Sequence, residues 1–155
     1  MKNLFSLLAF SFFSSSLFAQ GIIERNYSHY IDQEDVTHVF VSGKLFDMAA
    51  VVTQNMEDED VRELSDFASK IESFSLIKVP NQGKAEAEYK KGLNDINGDY
   101  EELIRMRDDG ERFVVYVDEE NDVVYEIVGL GIVDGEFIAL SLVGEMDLNK
   151  ISKFI

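Results

Sequence analysis

The chain has 155 residues with 30 acidic groups against 14 basic ones, no cysteine, and a formal net charge of −16. The lack of cysteine excludes disulfides, thiolate metal sites, cysteine nucleophiles and lipid attachment through cysteine. The acidic field repels phosphate backbones and anionic lipid surfaces, which excludes nucleic acid as an expected partner.

The first residues have the layout of a secretory signal. Met1-Lys2-Asn3 is a short basic start, Leu4 to Phe13 is an apolar run, and Leu17-Phe18-Ala19-Gln20 offers a small residue for cleavage. Ser14, Ser15 and Ser16 break the run short of the about 20 apolar residues that a spanning helix needs. Cleavage is expected after Ala19. Lys2 leaves with residues 1–19, so the mature chain carries 13 basic against 30 acidic groups, or −17. No later segment is apolar enough for a membrane span, and a lipoprotein is excluded. The expected product is exported, periplasmic or secreted.

Residues 20–35 read as a lead-in with room for a short helix, and residues 36–155 as a single domain. Val36 to Val41 is rich in β-branched residues and predicts a strand, broken by Ser42-Gly43. From Lys44 the period changes, and Leu45, Met48, Ala49 and Val52 predict an amphipathic helix with that stripe inward. Asn55 is placed to cap a second helix whose first turn holds Glu57, Asp58, Glu59 and Asp60, where carboxylates suit the positive end of the helix dipole. Its inward stripe is Val61, Leu64, Ala68 and Ile71.

Phe74 to Val79 predicts a second strand, ended by Pro80-Asn81-Gln82-Gly83, and Ala85, Tyr89 and Leu93 mark one side of a third helix. After Asn97-Gly98, Asp99 and Glu102 form a capping-box pattern for a fourth helix, with Tyr100, Leu103 and Ile104 inward and Gly110 as its stop. Arg112 to Val117, Val123 to Gly131 and Phe137 to Val143 predict three strands joined by turns around Glu120-Asn121 and at Asp134-Gly135. Asp-Gly between such runs is a strong hairpin signal, because tight hairpin turns need positive φ. Gly129 and Gly131 inside a strand predict a bulge or a close backbone approach. Leu148 to Ile155 reads as a closing helix capped by Asp147. The expected class is α+β: a mixed sheet of about five strands ending in an antiparallel three-strand meander, with helices chiefly on one face.

Chemistry is sparse in this sequence. His29 and His38 are the only histidines; they lie nine residues apart on different predicted elements, without the close spacing of imidazole metal sites. The acidic clusters fail as EF-hand loops: with Gly98 as the invariant glycine, position one is Leu93 and position twelve is Ile104, and with Gly110 position one is Arg105. Glu57 to Asp60 suits helix capping, and Asp118 to Asp122 suits a solvated turn. There is no nucleophile elbow or P-loop, and Gly129-Leu130-Gly131 lacks the third glycine of a dinucleotide fingerprint. No catalytic, cofactor-binding or metal-binding residue is assigned. In the meander both alternating sets are apolar, Val115 and Val117 against Val114 and Tyr116, and Leu140 and Leu142 against Phe137 and Val143. A sheet covered on one side only would show a polar outer face, so either both faces are covered or one awaits a partner.

Several segments together resemble a known family: the Phe-Ala-Gln end of the signal, Val39-Phe40-Val41-Ser42-Gly43-Lys44-Leu45-Phe46, Tyr100-Glu101-Glu102-Leu103, and Ala139 to Leu148 followed by Ile151. The chain is similar to the exported bacterial domain-of-unknown-function family 4252 over most of residues 30–155. The resemblance implies a Gram-negative envelope protein with no catalytic residues to carry over, an accessory role and a link to envelope signalling. The expected function is a non-enzymatic interaction or accessory module of the cell envelope, with an envelope protein as partner. The alternative is a small carboxylate-based hydrolase or divalent-cation binder.

Overall fold

The computed structural model describes residues 20–53, 58–80, 82–96, 98–147 and 149. Residues 1–19, expected as a signal, therefore lie outside the described residues, as do Asn55 and nearly all of the closing helix expected over 148–155. In chain order the elements are α1 (Ile22–Asn26), α2 (Ser28–Ile31), β1 (Thr37–Ser42), α3 (Gly43–Thr53), α4 (Glu59–Ala68), β2 (Ile71–Val79), α5 (Gln82–Asp95), β3 (Tyr100–Asp108), β4 (Glu111–Glu120), β5 (Val123–Val133) and β6 (Glu136–Asp147). The strands form one six-stranded sheet in the order β1-β2-β6-β5-β4-β3, with every pair antiparallel.

The α+β class stands, but the mixed five-stranded sheet does not. The extra strand is β3, expected as the fourth helix. Glu, Leu, Arg and Met favour helices in isolation, yet Ile104 and Met106 alternate with Arg105 and Arg107, and a bulge between Glu102 and Ile104 resets the register with β4. Gly110 ends no helix. Asp109 and Gly110 both have positive φ (39° and 88°) and turn β3 into β4. Asn121-Asp122 and Asp134-Gly135 repeat this at the next two hairpins, again with positive φ throughout, as twist-matched tight turns require. The meander thus has four strands, β3 to β6. Because β2 lies beside β6 and β3 at the far edge, α5 must cross the sheet between them, and it packs on β6 and β5.

The main core lies between the sheet and α1, α2 and α5. Ile22, Ile23 and Tyr27 from the lead-in are almost fully buried there, with Ala85 and Tyr89 from α5 against Val128, Leu130 and Phe137. Leu93 joins them part-buried, so the stripe expected on this helix is the observed one. A smaller core sits at one end of the opposite face, where Phe46 of α3 and Phe67 of α4 cover Val117, Val124 and Met146.

In α3 the helix is where its period places it, but the stripe is not inward. Leu45, Met48 and Val52 are 56%, 58% and 69% exposed, while Phe46 and Ala50 face the sheet and α4. The helix is apolar on two sides, and among the described residues only one of them has a neighbour. Ser65 explains the choice: its buried hydroxyl donates to the Ala50 carbonyl (2.9 Å), and two small residues let α3 and α4 approach. At the start of α4, Asp58 accepts from the Asp60 N–H (3.0 Å) and caps the helix. Ile71, read as the end of this helix, begins β2 instead. Asp147, expected as the cap of the closing helix, accepts from the Asn149 N–H (2.8 Å).

Candidate functional site

Two features stand apart from ordinary packing: a buried polar centre on the helix-covered face, and an apolar surface on the other. The polar centre is Glu126, a lone carboxylate in the apolar run of β5. Its Oε1 accepts from the Ile22 N–H (2.6 Å) and the Ser141 hydroxyl (2.5 Å), and its Oε2 from the Tyr100 hydroxyl (2.6 Å) and Arg25 Nη2 (3.0 Å). The side chain is 5% exposed, so these four donors stand in for water. They come from α1, β3 and β6, and so tie α1 to the middle of the sheet. Arg25 also donates to the Gln20 carbonyl (2.5 Å), and Ser75 of β2 donates to Glu24.

The electrostatics follow from that closeness. Burial, then the hydrogen bond to Glu126, pushes the Tyr100 hydroxyl well above the ordinary phenol value. Asp118 lies directly across from Glu126 in the β4–β5 register; burial, and then the Glu126 charge, raises its carboxyl. A raised carboxyl beside a second carboxylate is the arrangement used by acid–base enzymes. Here, however, both Glu126 oxygens are filled twice over, which uses the four acceptor positions of an ionised carboxylate. Glu126 is an anchor for α1, with no lone pair left for a substrate.

Glu126 matches no motif, yet the sequence marks it: a single charged residue within Val123 to Val133, facing a single serine in the equally apolar Phe137 to Val143. The residues singled out from the sequence are placed separately. His29 lies on α2 with its ring 4.2 Å from that of Tyr30, and His38 is on β1, paired with Ile77. In the turn after β4, Glu119 accepts from the Asp122 N–H (2.7 Å), so that acidic cluster organises its own turn. Asp122, Glu145 and Asp147 border a shallow depression of about 320 Å³ at one end of the sheet. Among the described residues no group of three or more histidine or carboxylate side chains is placed to hold a metal ion. Nor, among them, is any helix long and apolar enough to cross a membrane.

The apolar surface is the sheet face opposite α1, α2 and α5. Beyond the end covered by α3 and α4 it presents half-buried Leu76, Leu140, Phe113 and Val115, with Ile104 and Met106 exposed along β3. At its centre the expected close approach occurs at both glycines. A Cβ at Gly129 would lie 2.7 Å from Phe113 Cζ, and one at Gly131 2.5 Å from Phe113 Cδ2. The ring therefore lies flat against bare backbone and leaves the face low and even.

No curated protein and no solved structure matches the chain. A family described as a domain of unknown function, DUF4252, matches residues 27–154, and the chain belongs to that family.

Proposed function

We propose that this protein is an exported, non-enzymatic interaction module of the cell envelope, and that the open sheet face binds a protein partner. The observation that carries the reading is the apolar band from Leu76 through Leu140 and Phe113 to Ile104 and Met106, on which no described helix packs. A contiguous apolar surface on a highly charged chain marks an interaction site more often than a packing defect. The low relief created by Gly129 and Gly131 suits a flat or gently convex partner. Export rests on the signal pattern of residues 1–19, and the saturated coordination of Glu126 weighs against the carboxylate hydrolase.

The test is crosslinking in the envelope fraction with the wild type and a Met106→Lys variant side by side. Met106 is exposed at the rim of the face, so the variant should keep its thermal midpoint. The expected result is one recurrent partner recovered with the wild type and depleted at least about tenfold with the variant, the equivalent of about 1.4 kcal/mol. Recovery of the protein alone, or equal recovery with both, rejects the reading.

A further inference from the structure

The two edges of the sheet are built differently. β3 carries Glu101, Glu102, Arg105, Arg107 and Asp108, and a bulge at Leu103 breaks its register. Charges and bulges are how sheet edges avoid pairing with other chains. β1 has neither. Its sequence Thr-His-Val-Phe-Val-Ser holds no Lys, Arg, Asp or Glu, it runs in unbroken register with β2 over all six residues, and Val39 and Phe40 are 41% and 56% exposed.

The uncharged character continues past the strand. From Val36 to Thr53 the only charged residues are Lys44 and Asp47, which cancel, in a chain whose net charge is −16. Among the described residues, the other long uncharged runs, in β5 and β6, belong to central strands and are largely buried. This one is at the surface, and α3, which follows β1 directly, exposes the Leu45, Met48 and Val52 stripe.

We propose that a second copy of this chain occupies the edge: two β1 strands pair antiparallel about a two-fold axis and join two six-stranded sheets into one. Charge selects this occupant. A basic partner would be drawn to carboxylates, and this edge has none, whereas two strongly acidic bodies can touch only along a neutral seam. The strand is also self-complementary. An axis through Phe40 sets Phe40 against its own copy, Val39 against Val41 and His38 against Ser42, so each residue meets one on the same face. These are aromatic and β-branched cross-strand pairs of the stabilising kind, with no like charges opposed. The contact is isologous and closed, so it stops at two copies. The two α3 helices then lie on the same side of the joined sheet, one at each end of the seam. This surface is distinct from the open face assigned to a partner above, and neither proposal requires the other.

Sedimentation equilibrium on the chain in the form its producing cell accumulates tests the proposal. The wild type should have the mass of two protomers at micromolar concentration. Phe40→Lys and Phe40→Glu, each placing like charges opposite one another at the axis, should each raise the dimer dissociation constant at least about tenfold, with circular dichroism unchanged. Mixed one to one, the two variants should recover the dimer, because position 40 then meets the opposite charge. Met106→Lys should leave the dimer intact. A monomeric wild type, a dimer indifferent to both Phe40 changes, or failure of the mixture to recover it would each overturn the proposal. So would a monomer whose Phe40 variants lose a different protein partner.

Discussion

Glu126 binds four donors with two oxygens, and replacing it tests how far the placement of α1 depends on them. In Glu126→Gln the amide nitrogen must face either Ile22 N–H and Ser141 or Tyr100 and Arg25, setting donors against donors. Because the site is buried and charge-assisted, the expected loss is ~3 kcal/mol, read from chemical denaturation with fluorescence detection. A loss below ~1 kcal/mol would mean that water enters and α1 is held chiefly by its apolar residues. Buried phenols give a second residue-level expectation. Burial, reinforced by the hydrogen bond to Glu88, pushes Tyr30 up to about 12, and burial also raises Tyr27 and Tyr100. Below pH 10 both folded and unfolded chains keep these protons and stability does not respond to them. Between pH 10 and 12 only the unfolded chain releases them, so stability falls as pH rises, by about 1.4 kcal/mol per pH unit for each such group. The phenolate absorbance of these three rings, as distinct from that of exposed Tyr125, should therefore rise together with unfolding; their ionisation in the native state well before unfolding would contradict their burial.

At the scale of elements, what was legible depended on whether local pattern and tertiary pairing agreed. The Asp134-Gly135 hairpin, the three predicted strands of the meander and the third helix were readable because turn chemistry and periodicity pointed the same way. β3 was not, because Glu, Leu, Arg and Met supply helix propensity locally, while its strand state rests on pairing with β4 and on a bulge that hides the alternation. In α3 the position was readable and the orientation was not, since apolar residues on two sides do not say which side finds a neighbour. Glycines within strands gave a usable signal. Gly131→Ala would place a methyl 2.5 Å from Phe113 Cδ2 and 2.9 Å from the Arg112 carbonyl oxygen, and backbone yields little. It should cost ~2 kcal/mol by overpacking. Gly98→Ala, with no atom within 4 Å of its added carbon, should leave the melting curve unmoved by comparison. Equal effects in calorimetry would mean that the Phe113 ring lifts freely from the sheet.

For the whole molecule, charge and shape divide the labour. Carboxylates dominate the overall field, while exposed apolar side chains concentrate on the open face and on the neutral stretch of β1 and α3. The candidate site was half legible in sequence. Apolar residues on both alternations of the meander showed that a second face needed cover, but the extent of that cover depends on how α3 and α4 sit, which no local pattern records. The Glu126 anchor was legible only as one charge out of place.

That anchor separates two ways of drawing the edge of this protein. The stretch by which its family is recognised begins at Tyr27, whereas Ile22 and Ile23 are buried and the Ile22 N–H fills one of the Glu126 bonds. Kinship is therefore recorded in a shorter piece of chain than the piece that folds. A protein trimmed to its recognisable part would keep the acid and lose the segment that makes its burial tolerable.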